Sequence, residues 1–129
     1  MREPRILKVL EKYRAKNLRV PIIVEGRNDV NMLRRLDFRG EIITMNSGNS
    51  LVAFTEEVAK EFREVIILTD FDRRGGRQMR VEFERLFVSL GVHADTYLWE
   101  FLYRSGGGIR SVEELGYAQE KAKQRLLQQ

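Results

Sequence analysis

Apolar residues recur along this chain in two rhythms. Unbroken apolar runs occupy 20–24 (VPIIV) and 65–68 (VIIL), and a strand that is apolar at every position suits a sheet covered on both faces. Around these runs, apolar residues return every three or four positions, the spacing of a helix with one buried side. Ile6, Leu7, Leu10 and Tyr13 form such a stripe and predict a helix over 5–14. Asn28 or Asp29 then caps a second helix that turns Val30, Leu33 and Leu36 inward. Residues 41–44 read as a short strand, and a helix over 51–62 buries Leu51, Phe54, Val58 and Phe62. The strand at 65–69 ends in Asp70. After Gly75 and Gly76 comes a helix carrying Met79, Phe83, Leu86, Phe87 and Leu90, which Gly91 stops. Residues 92–98 partly alternate and predict a fourth strand nearer an edge. Past Gly106–Gly108, a linker or flexible turn, Ser111 and Glu114 form a capping box for a last helix over 112–126.

Strand, loop and helix repeated with short links predict one α/β domain over 1–129, with its core at about 20–98. The expected architecture is a four-stranded, mostly parallel sheet with helices on both faces, in which the strands ending at Glu25 and Asp70 are neighbours. A chain of 129 residues suits one such core. The absence of cysteine excludes disulfides, thiolate catalysis and cysteine-ligated metals. No run approaches the roughly 20 apolar residues of a membrane span, and the reading is a cytoplasmic protein without membrane contact. The net charge of +4 and pI near 9.6 favour association with phosphate polymers.

Ligands of open α/β sheets sit beyond the carboxyl ends of the strands. Glu25 closes one apolar strand, while Asp70 and Asp72 close and follow another. Two aspartates two residues apart can converge on one hard cation such as Mg2+, which takes oxygen ligands and tolerates few carboxylates. Arg73, Arg74, Arg77 and Arg80 follow, with Gly75 and Gly76 between them. Arginine donates paired hydrogen bonds to phosphate, and glycine leaves backbone N–H groups open to an anion. Arg73 is the preferred phosphate binder, with Gly26, Arg27, Gly75 and Arg77 in support, and Arg80 reads as a bystander. His93 reads as a solvated edge residue. Trp99, Phe101 and Tyr103 read as packing residues before they read as a base-stacking platform.

VEGRNDV at 24–30 together with TDFDRRG at 69–75 resembles the Toprim family, the catalytic domain shared by bacterial-type primases, type IA and type II topoisomerases and ribonuclease M5. The resemblance spans roughly residues 20–98 and implies a Rossmann-like Toprim fold in a small stand-alone protein. It implies that Glu25 is a general acid or base, that Asp70 and Asp72 bind metal with Glu25 nearby, and that Arg73 and Gly75 form an Arg-x-Gly extension. Asp29 matches a further acidic position, and Asn46, Ser47 and Gly48 match a small-residue loop after the second strand.

The resulting expectation is Mg2+-dependent phosphoryl transfer on nucleic acid, with hydrolysis of an RNA or DNA phosphodiester first and Mn2+ as a substitute cation. One alternative is a non-catalytic, metal-assisted binding module within a larger nucleic-acid-processing complex. Another is a small-molecule phosphatase or nucleotide-binding protein. The aromatic C-terminal third is compatible with a homodimer.

Overall fold

The computed structural model describes residues 3–45, 50–69 and 76–104, together with positions 120, 123, 124, 126 and 127. Its elements are α1 (Glu3–Asn17), β1 (Ile22–Val24), α2 (Arg27–Arg35), β2 (Ile42–Thr44), α3 (Leu51–Ala59), β3 (Glu64–Ile67), α4 (Gly76–Ser89), β4 (His93–Asp95) and α5 (Tyr97–Tyr103). The four strands lie in the order β2-β1-β3-β4, and every pairing is parallel. The two apolar runs are therefore the central strands and neighbours, as their composition predicts. The order 2-1-3-4 also occurs in other doubly wound sheets. It establishes a small α/β architecture and no narrower fold.

Alternation along the central strands divides the interior into two cores. Ile22, Val24, Ile66 and Leu68 pack with Leu10, Tyr13, Leu33 and Trp99. Ile23, Val65 and Ile67 face Phe54, Val58, Phe83 and Phe87. Helices α1, α2 and α5 thus cover one face, and α3 and α4 the other. Ile22, Ile23, Ile66 and Ile67 are fully buried, each worth about 1.5–3 kcal/mol in removed apolar surface.

Most helices follow their stripes. In α3, Ser50 is the cap, its hydroxyl accepting from the Ala53 N–H at 3.1 Å, and the helix stops at Ala59 instead of reaching residue 62. Gly91 ends α4 with φ +78°, a left-handed conformation that glycine adopts without strain. The fourth strand departs most from expectation. It ends at Asp95, because Asp95 Oδ1 accepts the Tyr97 N–H at 2.9 Å and turns the chain into α5. What reads as alternation in YLWEFLY is one helical side, with Leu98, Phe101 and Leu102 buried and Trp99 stacked on Tyr103 one turn later, ring centroids 5.0 Å apart. The packing reading of the aromatics holds for Trp99 and Phe101. The helix expected at 112–126 falls mainly outside the described residues.

Two polar devices fasten α1 to the sheet. Buried Asn17 ends the helix and donates to the carbonyls of Val20 and Glu41, each at 3.0 Å, while its Oδ1 accepts from the Gly40 N–H at 2.9 Å. Gly40 passes so close that a Cβ there would lie 1.7 Å from the Asn17 carbonyl oxygen. Farther along, Asp95 accepts from the Tyr13 hydroxyl at 2.9 Å and from Lys16 Nζ, which also reaches Glu64 at 2.8 Å. Burial alone pushes the Asp95 carboxyl up, but the hydrogen bonds from Lys16, the Tyr97 backbone and Tyr13 outweigh it and hold it below the ordinary 3.8. Burial pulls Lys16 down, yet its bonds to Asp95 and Glu64 leave it above 10.5. Burial, with Asp95 beside it, pushes the Tyr13 hydroxyl far above 10.0.

Two outcomes follow for stability. Gly40→Ala forces backbone apart and is expected to cost about 1–3 kcal/mol, as overpacking does; an unchanged urea midpoint would remove the clamp from the account. Asp95→Asn is expected to cost about 1–3 kcal/mol at neutral pH by leaving Lys16 and Tyr13 poorly paired. Asp95 contributes fully above pH 3.8, and its share fades as pH falls through the lower folded value. Lys16 contributes fully below pH 10.5 and fades as pH rises through its higher folded value. The gap between wild type and variant therefore closes at both extremes in pH-resolved denaturation, and a constant gap would contradict the network.

Candidate functional site

Strands that all run one way bring their carboxyl ends to one edge, where each following helix begins. Only Glu25 and Gly26 separate β1 from α2. β2 hands on to Met45, whose N–H donates to the Val24 carbonyl at 3.2 Å, and β3 runs on through Leu68 to Thr69. From β1 the chain crosses one face through α2 to reach β2. From β2 it crosses the other face through α3 to reach β3. The two connections diverge between β1 and β3, and this switch point is where doubly wound sheets leave a crevice for ligands.

Glu25 stands at that point, partly buried. The Leu68 N–H donates to the Ile23 carbonyl at 2.9 Å, so the parallel register Ile22–Ile66 and Ile23–Ile67 continues past the strands and sets Glu25 alongside Thr69. Gly26 is the N-cap of α2, at φ −152° and ψ 177°, an extended conformation open to any residue. The turn therefore does not require glycine at this position. What the missing side chain does is leave space, for a Cβ there would meet nothing within 4 Å. Neither Asn28 nor Asp29 is the cap. Asp29 sits at the third helical position, buried, with Oδ2 accepting the Gly26 N–H at 3.1 Å. It braces the turn that carries Glu25. Arg27 is exposed in the first turn of α2.

Asp70, Asp72, Arg73 and Gly75 lie outside the described residues, as do Asn46, Ser47 and Gly48. Arg77 falls in the first turn of α4, its side chain outside them. Among the described residues no cluster of three or more His, Asp or Glu side chains is built to hold a metal ion. The donors named for a cation span that boundary, with Glu25 within it and the aspartate pair beyond it. The donor set named from the sequence, three carboxylates, has the hard-oxygen character that Mg2+ takes.

Sequence reasoning passed over Thr69. It is fully buried, and its hydroxyl has no hydrogen-bond partner among the described residues. The available signal was a lone hydroxyl closing an otherwise apolar run. Other candidates resolve into structural roles. Arg80 lies 4.7 Å over the Trp99 ring and pairs with Glu84 at 3.4 Å, which makes it a packing residue. His93 is exposed, 3.9 Å from Glu64. A cavity of about 620 Å³ follows β4 between Arg5, His93, Asp95, Tyr97 and Arg104, and none of the predicted site residues among the described ones lines it. No described helix is long and apolar enough to cross a membrane.

No family model matches the chain. In sequence it is similar to UPF0292 protein TV1259 of Thermoplasma volcanium, 49% identical over 107 residues covering 83% of this chain and 88% of that protein. It is also similar to UPF0292 protein MJ1624 of Methanocaldococcus jannaschii, 35% identical over 112 residues covering 86% and 87%. Among solved structures, a protein from Aquifex aeolicus matches with a TM-score of 0.70 at 24% identity, over 81% of this chain and 93% of that one, a likeness of fold. These findings overturn the Toprim resemblance, and the primase-like and ribonuclease M5-like labels fall with it. The terms nuclease and magnesium lose the support they drew from it. The physical reason is plain: acids at adjacent strand ends suit any cation–phosphate site on a doubly wound sheet, so two short motifs do not single out one family.

Asp29→Ala is expected to lower stability by about 1 kcal/mol through loss of the helix-start hydrogen bond. It should also speed exchange of the Gly26 amide proton. Exchange at the wild-type rate would show that Asp29 does not hold this turn.

Proposed function

The chain belongs to the UPF0292 family, and from that footing we propose that it carries out cation-assisted phosphoryl chemistry on nucleic acid, hydrolysing a phosphodiester of RNA or DNA. The observation that supports this most is the place of Glu25. It ends a fully buried central strand at the switch point, beside the strand that runs on toward Asp70 and Asp72.

In this reading Asp70 and Asp72, with Glu25 near them, hold Mg2+ or Mn2+. When bound, the cation offsets the charge that develops on the phosphoryl oxygens. Glu25 takes the proton of the attacking water or returns one to the leaving oxygen. The open N-terminus of α2 leaves the Arg27 and Asn28 amides without helical partners, and these receive a flanking phosphate. Exposed Arg27 and, after the aspartate pair, Arg73 add paired donors to that phosphate. Such contacts read the backbone and not the bases, so binding spans many sequences.

The test is cleavage of end-labelled single- and double-stranded RNA and DNA with Mg2+ or Mn2+, beside a binding titration. Glu25→Gln is expected to keep binding while the rate falls about 10²–10⁴-fold, as loss of a general acid or base does. Asp70→Asn is expected to lose cation-dependent binding. Pure wild type that binds in an Asp70- and cation-dependent way yet cuts nothing would make the site a binding module. Absence of any cation-dependent association would overturn the reading.

A further inference from the structure

Thr69 presents a buried hydroxyl that the fold leaves unused. The other fully buried threonine, Thr55, donates to the Leu51 and Val52 carbonyls of its own helix, each at 3.0 Å. Thr69 lies past the last residue of β3, where no helical carbonyl lies one turn behind it, and its Oγ1 has no partner among the described residues. An unsatisfied buried polar group is costly, and valine would fill the same shape without it. The three residues at 65–67 are Val, Ile and Ile, so a branched apolar side chain is what this strand carries after Glu64.

Alternation shows which face of the sheet the side chain takes. Val65 and Ile67 join the core beneath α3 and α4, while Ile66 and Leu68 join the other. Thr69 therefore faces the α3 and α4 side, and Glu25, two residues after Ile23, shares that side. With adjacent strands ~4.8 Å apart, the continued register brings the two positions side by side across the switch point. Gly26, next to them, adds no side chain and leaves its surroundings open.

From this we infer that Thr69 is a ligand-binding residue, whose hydroxyl donates a hydrogen bond to an anionic phosphoryl oxygen held at the switch point between β1 and β3. The assignment rests on the function proposed above and adds a group to it. The free protein bears an unpaired donor, and the bound phosphate satisfies it. Thr69 thereby favours ligands that bring an acceptor to this depth.

The test uses Thr69→Val and Thr69→Ser with the full chain, and Asp70→Asn as the reference. The probe is a fluorescent 12-residue oligouridylate with Mg2+, read by anisotropy, alongside thermal melting without the probe. Thr69→Val is expected to melt at or above the wild-type temperature, since it removes an unsatisfied donor. It is also expected to bind the probe about 10- to 100-fold more weakly, the range for a hydrogen bond to a charged acceptor. Thr69→Ser, which keeps the hydroxyl, should bind within about 3-fold of wild type, well short of that loss. Wild-type affinity in Thr69→Val beside a weakened Asp70→Asn would overturn the Thr69 assignment and leave the proposed function standing. A lower melting temperature in Thr69→Val would show that the hydroxyl is already used in the free protein, which also overturns the assignment. Wild type without Mg2+-dependent binding would overturn both.

Discussion

Parallel strand direction is the constraint on which the rest of this structure depends. Parallel neighbours cannot be joined by a tight turn, so each link becomes a crossover with a helix in it. Those helices bury the sheet on both faces, which is why Ile22, Ile23, Ile66 and Ile67 are all sealed from solvent. The same direction gathers the strand carboxyl ends with the starts of α2, α3 and α4 on one edge. Opposed electrostatics then meet in a small space. Helix starts favour anions, and Glu25, an acid, stands among them. The phosphate and counter-cation proposed for this edge would answer both demands together.

The fold was readable wherever burial was complete. Continuous apolar runs at 20–24 and 65–68 pointed to central strands, and the stripes of α1, α2 and α4 pointed to helices. Reading failed where one residue's hydrogen bond overrode a periodicity. Asp95 ends β4 by accepting the Tyr97 amide, and nothing in alternating apolar residues announces that. Asn17 and Gly40 form a contact across 23 residues of chain, which no local pattern encodes.

The site was readable only in part, for a related reason. Glu25 was visible because an acid after an apolar run is conspicuous. Asp29 was visible as an acid but not as a brace, since its partner is a backbone N–H. Thr69 was hidden because threonine is an ordinary strand residue, and only its missing partner distinguishes it. The motifs were less diagnostic than their length suggested. They encode strand ends bearing acids, a solution that parallel sheets offer to many chains.

The outer strands have a consequence for how the molecule tolerates company. β2 and β4 are each three residues long, and β4 turns at once into α5. An exposed strand edge is a template on which another chain can pair and begin an aggregate. Edges this short, one of them with a charged residue at its end locked inward by Lys16 and Tyr13, offer an incoming strand few unpaired amides in register. The sheet thus keeps its apolar strands in the middle and offers little edge on which another strand could pair.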